Sequence, residues 1–158
     1  NNLEDIQNLF ENRYNFIKYD LAYNMSKSKD IFDTWMMNES DNIQNLSKTY
    51  SEFEVIREFN NQIKNIDDTD LKDILTDLYL LYCYTKIKED VMFFTLNSVL
   101  HRKTLRKINQ KILNLNKKLG SKSLELVESF GIPEWMIHSP MANDWEEYNS
   151  YQNNGELI

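Results

Sequence analysis

The side chains best suited to acid-base, nucleophilic or metal chemistry are few: two histidines, His101 and His138, and one cysteine, Cys83. Only one imidazole has an acid at helical spacing, His138 with Glu134 four residues before it. Such a pair reads as a local hydrogen bond or ion pair before it reads as a general base or metal ligand. Cys83 sits inside the apolar run "LYLLYCYT", with no second cysteine for a disulfide and no histidine at metal spacing. A buried, inert thiol is the expectation. A di-iron bundle needs Glu-x-x-His pairs on two helices, and the chain has none. It also lacks a Gly-rich phosphate loop, a Gly-x-Ser-x-Gly elbow and a paired Cys-x-x-Cys. The expected inventory is therefore no catalytic, no cofactor-binding and no metal-binding residue in this chain.

Charge is distributed unevenly. The net value is −7, yet Val91 to Leu124 contains no acid, while Arg102, Lys103, Arg106, Lys107, Lys111, Lys117, Lys118 and Lys122 all fall inside it. Two readings stand. The run is a solvated face, because most of these positions lie opposite an apolar stripe; or it meets an anionic partner such as the phosphates of a nucleotide or coenzyme. The first is the simpler. Nucleic acid is not an expected partner, since the acidic remainder opposes it and no aromatic residue interleaves with the basic ones from Arg102 to Lys122. The aromatic clusters "FDTWMM" at Phe32 to Met37 and "VMFF" at Val91 to Phe94 read as packing material rather than a ligand cavity.

The elements that must position these residues are helical. No proline occurs before Pro133 and only Gly120 interrupts the chain before Gly131, so nothing enforces the turns that strands and hairpins require. A first helix is predicted from about Leu3 to Met25, with Leu3, Ile6, Phe10, Tyr14, Ile17 and Leu21 on one stripe. A second runs from about Asp30 to Ile63, with a break possible at "NESD". Asp67, Thr69 or Asp70 can cap a third helix, from about Leu71 to Phe94, whose apolar middle predicts neighbours on more than one side. A fourth runs from about Arg102 to Phe130, with Gly120 inside it and Leu105, Ile108, Ile112, Leu115, Leu119, Leu126 and Phe130 buried. Gly131 suits a left-handed C-terminal cap, and Pro133 the first turn of a short following helix. The predicted fold is all-α, an antiparallel bundle of about four long helices with a short helical C-terminal tail.

The 158 residues, 41 % of them hydrophobic, suffice for one domain with a core, taken as 1–158 with a tail motif at 131–151. Alanine occurs only at positions 22 and 142. Helicity must then come from burial rather than from intrinsic propensity. Apolar runs fall short of the roughly 20 residues that cross a bilayer, and no signal series opens the chain, so a soluble protein with no membrane partner is expected. Residue 1 is Asn and the amphipathic pattern starts almost at once, which implies a piece of a longer polypeptide.

The stretch "LVESFGIPEWMIHSPMANDWEEYN" resembles the C-terminal end of acyl-CoA oxidases, flavoenzymes of fatty-acid β-oxidation. There a long helix closes with a pattern close to Leu-Val-Asp-x-Phe-x-Ile-Pro-Asp and then Ser-Pro. Leu126, Val127, Phe130, Ile132, Pro133, Ser139 and Pro140 match, Glu128 and Glu134 stand where Asp is usual, and Asp144, Trp145, Tyr148 and Asn149 resemble an ending seen in some members. Upstream, "LYLLYCYTKIKEDVMFF" is similar to the family's Leu-Tyr-x-Leu, Ile-Glu-x-Asp and aromatic-Phe pattern at Leu78, Tyr79, Leu81, Ile87, Asp90, Phe93 and Phe94, with Lys88 in place of the usual acid.

The resemblance implies the last of the helical domains of such an enzyme, packed on an upstream helical domain in a polypeptide that also carries a β-domain, and part of a homodimer. The family's FAD-dependent reaction turns acyl-CoA and O2 into trans-2-enoyl-CoA and H2O2, but its catalytic glutamate and most of its flavin site lie upstream. FAD thus belongs to the parent enzyme and not to this chain, which is expected to be inactive alone. A face through Tyr79, Tyr82, Lys86 and Phe93 is predicted to dock on the missing domain if the core takes Leu78, Leu81 and Thr85. The location implied is peroxisomal for a eukaryotic source and cytoplasmic for a bacterial one; the terminal "ELI" is no Ser-Lys-Leu signal. The rival reading is a free-standing helical protein-interaction module.

Overall fold

The computed structural model describes residues 3–97, 99–137, 146, 147 and 150, without the Glu134 side chain. The chain divides into two compact units, one ending at Leu119 and the other starting at Gly120. All regular structure among the described residues is helical, as unbroken helical periodicity requires.

In the larger unit, α1 (Leu3–Ser26) is followed by the single turn α2 (Ile31–Asp33), which runs into a π-helix over Thr34–Asn38. Then come α3 (Ser40–Lys64), α4 (Thr69–Glu89), α5 (Val91–Leu96) and α6 (Arg102–Gly120), whose last residue is the first of the smaller unit. The break anticipated at "NESD" is real: Glu39 leaves the helical region at φ −113°, ψ 6°, and its N–H donates to the Thr34 carbonyl five residues back.

Side-chain pairs set the register between helices. Lys64 meets Glu4 at 2.9 Å, Asn60 meets Gln7 at 2.7 Å and Arg13 meets Glu52 at 2.5 Å. Residue numbers rise on α1 as they fall on α3, so these two helices run antiparallel. Phe59 against Tyr79 and Glu52 near Lys86 give α3 and α4 the same opposition. Lys118 on Asp77 and Lys111 on the Tyr84 hydroxyl do so for α4 and α6.

Phe10, Ile56, Ile63, Cys83, Ile87, Phe94 and Ile108 form a continuous buried cluster from all of these helices. At roughly 1.5–3 kcal/mol for each large side chain taken out of water, this cluster outweighs the exposed ion pairs, which contribute about 0–1 kcal/mol each. The α4 helix is the central element. None of its residues from Ile74 to Ile87 is exposed, which answers the prediction that so apolar a helix has several neighbours.

The face assigned to docking needs correction. Tyr79 is fully buried, not presented outward. Its ring stacks edge-on against Phe59 with centroids 5.6 Å apart, and its hydroxyl donates to the Leu3 carbonyl at 3.3 Å. The core takes Tyr79, Cys83, Tyr84 and Ile87, while Leu78, Leu81, Tyr82, Thr85, Lys86 and Phe93 are half-buried. A helix apolar on every side gives no sequence signal of which side is most covered.

Three boundaries also differ. The cap of α4 is Asp68, whose carboxylate accepts the Leu71 N–H at 2.9 Å, rather than Asp67, Thr69 or Asp70. The predicted third helix breaks at Asp90, at φ −118°, ψ 40°, before α5 begins. Gly120 ends α6 instead of lying inside a longer helix, so Leu126 and Phe130 do not extend its buried stripe.

The smaller unit has the short helix α7 (Ser123–Glu128) and a 3-10 turn over Glu134–Met136. Gly131 has φ +60° and its N–H donates to the Glu128 carbonyl at 2.9 Å. It is the left-handed cap expected of it, but it closes α7. The Pro133 carbonyl accepts the Met136 N–H at 2.9 Å and so opens the 3-10 turn.

Candidate functional site

The least expected chemistry is a buried ionic junction where α1, α3 and the α4–α5 break meet. Arg13 is 2 % exposed. Its Nη1 lies 2.5 Å from Glu52 Oε2, and its Nε and Nη2 lie 2.9 and 2.6 Å from Asp90 Oδ2. Lys86 lies 3.5 Å from Glu52 Oε1 and 2.8 Å from Glu89. The Glu89 hydrogen bond, and then the nearby Glu52 charge, hold the Lys86 ammonium above its ordinary range against desolvation. The guanidinium also faces the Phe93 and Phe94 rings at 5.9 and 5.8 Å.

Such a junction fastens α1, α3 and the α4–α5 break to one another. Both oxygens of Glu52 face cations, and Asp90 Oδ2 takes two Arg13 nitrogens. Sequence reasoning passed over Arg13 and Glu52. A charged residue at a stripe position of α1 with an acid on the next long helix was the available signal, but the pairing spans 39 residues.

The sequence candidates are scattered. Cys83 is buried, and desolvation pushes its thiol up to about 12; it is an inert core group. Desolvation likewise raises the Tyr79 and Tyr82 hydroxyls. His138 and the Glu134 side chain lie outside the described residues, and with them the acid-imidazole pair. His101 is exposed just ahead of α6, where its carbonyl accepts the Thr104 and Leu105 N–H groups at 2.8 and 3.1 Å. No group of three or more His, Cys, Asp or Glu side chains is arranged for a metal among the described residues.

The basic run does gather at a surface. His101, Arg102, Lys103, Thr104, Lys107 and Lys111 line an open groove of about 760 Å³. A smaller crevice of about 180 Å³ between α1, α4 and α6 shares Thr104 and Lys111 with it, and has Ile6, Leu9, Leu100 and Ile108 in its walls.

Comparison with known proteins decides the family. Residues 2–153 match the family described as acyl-CoA oxidase. The chain belongs to the acyl-CoA oxidase family. It is also similar to peroxisomal acyl-coenzyme A oxidase 1 of Phascolarctos cinereus, at 26 % identity over 127 residues, 80 % of this chain and 18 % of that protein. The chain thus spans about a fifth of the length of the relative it matches.

Within the acyl-CoA oxidase family pattern, Leu78, Tyr79, Leu81, Ile87, Asp90, Phe93 and Phe94 are all buried or half-buried, so those positions serve the core and the ionic junction. Lys88 is exposed, and the ion pair at that place is made by Asp90 with Arg13. The tail positions behave differently. Val127, Phe130 and Ile132 are exposed, Phe130 at 76 %, while Ser139, Pro140, Asp144, Trp145, Tyr148 and Asn149 lie outside the described residues.

FAD is what the family implies for the parent enzyme, and no described side chain is assigned to hold it. The apolar crevice, at about 180 Å³, is smaller than the roughly 300–1,000 Å³ of ordinary small-ligand pockets. The larger groove is open and lined by cationic, imidazole and hydroxyl side chains.

Proposed function

We propose that this chain is the C-terminal helical domain of an FAD-dependent acyl-CoA oxidase, the enzyme that converts acyl-CoA and O2 to trans-2-enoyl-CoA and H2O2. Its role is structural: it packs on the upstream helical domain, helps complete the homodimer and is not catalytic alone. The observation that carries this reading is the exposure of apolar tail-motif residues in a chain that spans 18 % of its relative. A side chain such as Phe130 gains nothing from facing water, and exposed apolar residues of this size are the material of an interaction surface.

In the larger unit Ile31, Phe32 and Met37 are exposed, and in the smaller unit Leu124, Trp135 and Met136 are. Their natural cover is the rest of the polypeptide. The peroxisomal relative supports a peroxisomal location for a eukaryotic parent.

Purified chain should show no flavin absorbance and no acyl-CoA-dependent peroxide above a protein-free control, while the parent reading frame should encode a flavin and β-domain region upstream. Stoichiometric flavin on the chain alone, or a parent frame without that region, would overturn the reading.

A further inference from the structure

The first turns of α6 are electrostatically costly. A helix N-terminus carries about half a positive charge and is favoured by acids; here Arg102 and Lys103 occupy it and no acid lies in the first turn. Lys103, Lys107 and Lys111 follow at four-residue spacing, so like charges stand one above the other along a single face, each neighbouring pair opposing the helix. No acid from Val91 to Leu124 relieves this within the segment. At the other end of α6, by contrast, Lys118 pairs with Asp77 at 2.5 Å. The ordinary solvated face does not account for cations concentrated at the end of the helix that repels them.

The same side chains line the groove of about 760 Å³. Arg102, Lys103 and Lys107 are exposed around it. Lys111 is half-buried at its inner end, its ammonium donating to the Tyr84 hydroxyl at 2.9 Å and sitting 4.7 Å from that ring's centroid. The Thr104 hydroxyl, in the groove wall, adds a neutral donor, whereas the Thr104 and Leu105 N–H groups are already spent on the His101 carbonyl. The shared walls at Thr104 and Lys111 join this groove to the apolar crevice of about 180 Å³. The carboxylate that lines the crevice, Asp5, repels an anion there, which leaves a phosphate head on the groove side.

We propose that the groove at the start of α6 is a binding site for a compact soluble phosphorylated ligand, its multiply charged phosphate on Arg102, Lys103 and Lys107 and a single ring or short alkyl group in the crevice beside Lys111. This site is separate from the apolar surfaces assigned above to the rest of the enzyme, and its existence does not depend on them.

Calorimetric titration of the full chain with inorganic pyrophosphate tests the head, and phenyl phosphate against orthophosphate tests the crevice. Pyrophosphate should bind, weakening steeply with salt, and phenyl phosphate should bind several-fold more tightly than orthophosphate. The double variant Lys103→Glu, Lys107→Glu should weaken pyrophosphate by about tenfold or more. The same variant should melt at the same or a higher temperature, because acids favour a helix N-terminus; loss of binding without loss of stability is a signature that a structural role would not give. Lys117→Glu, near the far end of α6, should leave binding within twofold. The proposal is overturned by absence of pyrophosphate binding, by equal weakening in Lys117→Glu, by equal affinity for phenyl phosphate and orthophosphate, or by adsorption to anionic phosphatidylglycerol vesicles with no response to soluble phosphates.

Discussion

At the scale of single residues, Arg13 is the side chain on which most depends. Removing one partner of a buried ion pair leaves a desolvated charge behind, which costs about 3–5 kcal/mol. The lower end applies here, because Lys86 still faces Glu52 and Asp90 is 28 % exposed. Urea denaturation of Arg13→Ala should therefore show a loss near 3 kcal/mol, with Arg13→Lys recovering only part of it, since an ammonium cannot reach Glu52 and Asp90 in one planar fork. Cys83 makes a prediction about pH. Its folded thiol is raised from an ordinary 9.0 to about 12 by burial, so above pH 9 the unfolded chain sheds a proton that the folded chain keeps. Stability is whole below that point and falls as pH rises toward 12. Tyr79, also raised by burial, adds to the same loss. Cys83→Ala should show a shallower alkaline decline in stability, and the native thiol should resist a thiol-specific reagent at pH 8 until denaturant is added.

At the scale of the helices, the start of α4 and the end of α7 are each marked by one identifiable residue, while Gly120 at the end of α6 is not held in a cap conformation. The Asp68 carboxylate caps an otherwise unbonded N–H of α4, and Asp68→Ala should cost about 1 kcal/mol in thermal melts. Gly120, at the end of α6, has nothing within 4 Å of where a Cβ would stand and no left-handed φ. Gly120→Ala should raise the melting temperature, by an amount corresponding to roughly 0.5–1 kcal/mol. Gly131 is the opposite case. At φ +60° a β-branched side chain is strained, so Gly131→Val should destabilise α7 by about 1–2 kcal/mol. The effect is local, seen as faster amide exchange over Ser123 to Glu128. Equal responses at the two glycines would show the cap to be misplaced.

At the scale of the whole molecule, α4 is enclosed while apolar side chains of α2, the π-helical stretch and the described part of the smaller unit are not. Phe32 and Met37 are 75 % and 76 % exposed, and Trp135 is 76 % exposed. Left uncovered, such surfaces favour self-association at high concentration. Light scattering of the isolated chain should show concentration-dependent oligomers, reduced by Phe32→Glu with Met37→Glu and by Trp135→Glu. A strict monomer throughout the range would mean that these residues need no cover.

Helical periodicity and the lack of proline before Pro133 were enough to read an all-α chain and the long helices α1, α3, α4 and α6, because a 3.6-residue stripe is a local property of the sequence. The cap at Gly131 and the break at Glu39 were legible for the same reason: glycine, and a polar gap in a stripe, act on their own few residues. The tail motif made the family legible. What the sequence left open is non-local. Which side of α4 is innermost depends on where Phe59 and Leu3 arrive, and that placed Tyr79 inside. Arg13 reaches from α1 to Asp90, where the third helix ends, across 77 positions, and to Glu52 across 39. The gathering of basic side chains into a groove beside an apolar crevice likewise required α1, α4 and α6 to meet. Burial and charge pairing between distant segments are properties of the packed chain, and only tertiary structure could decide them.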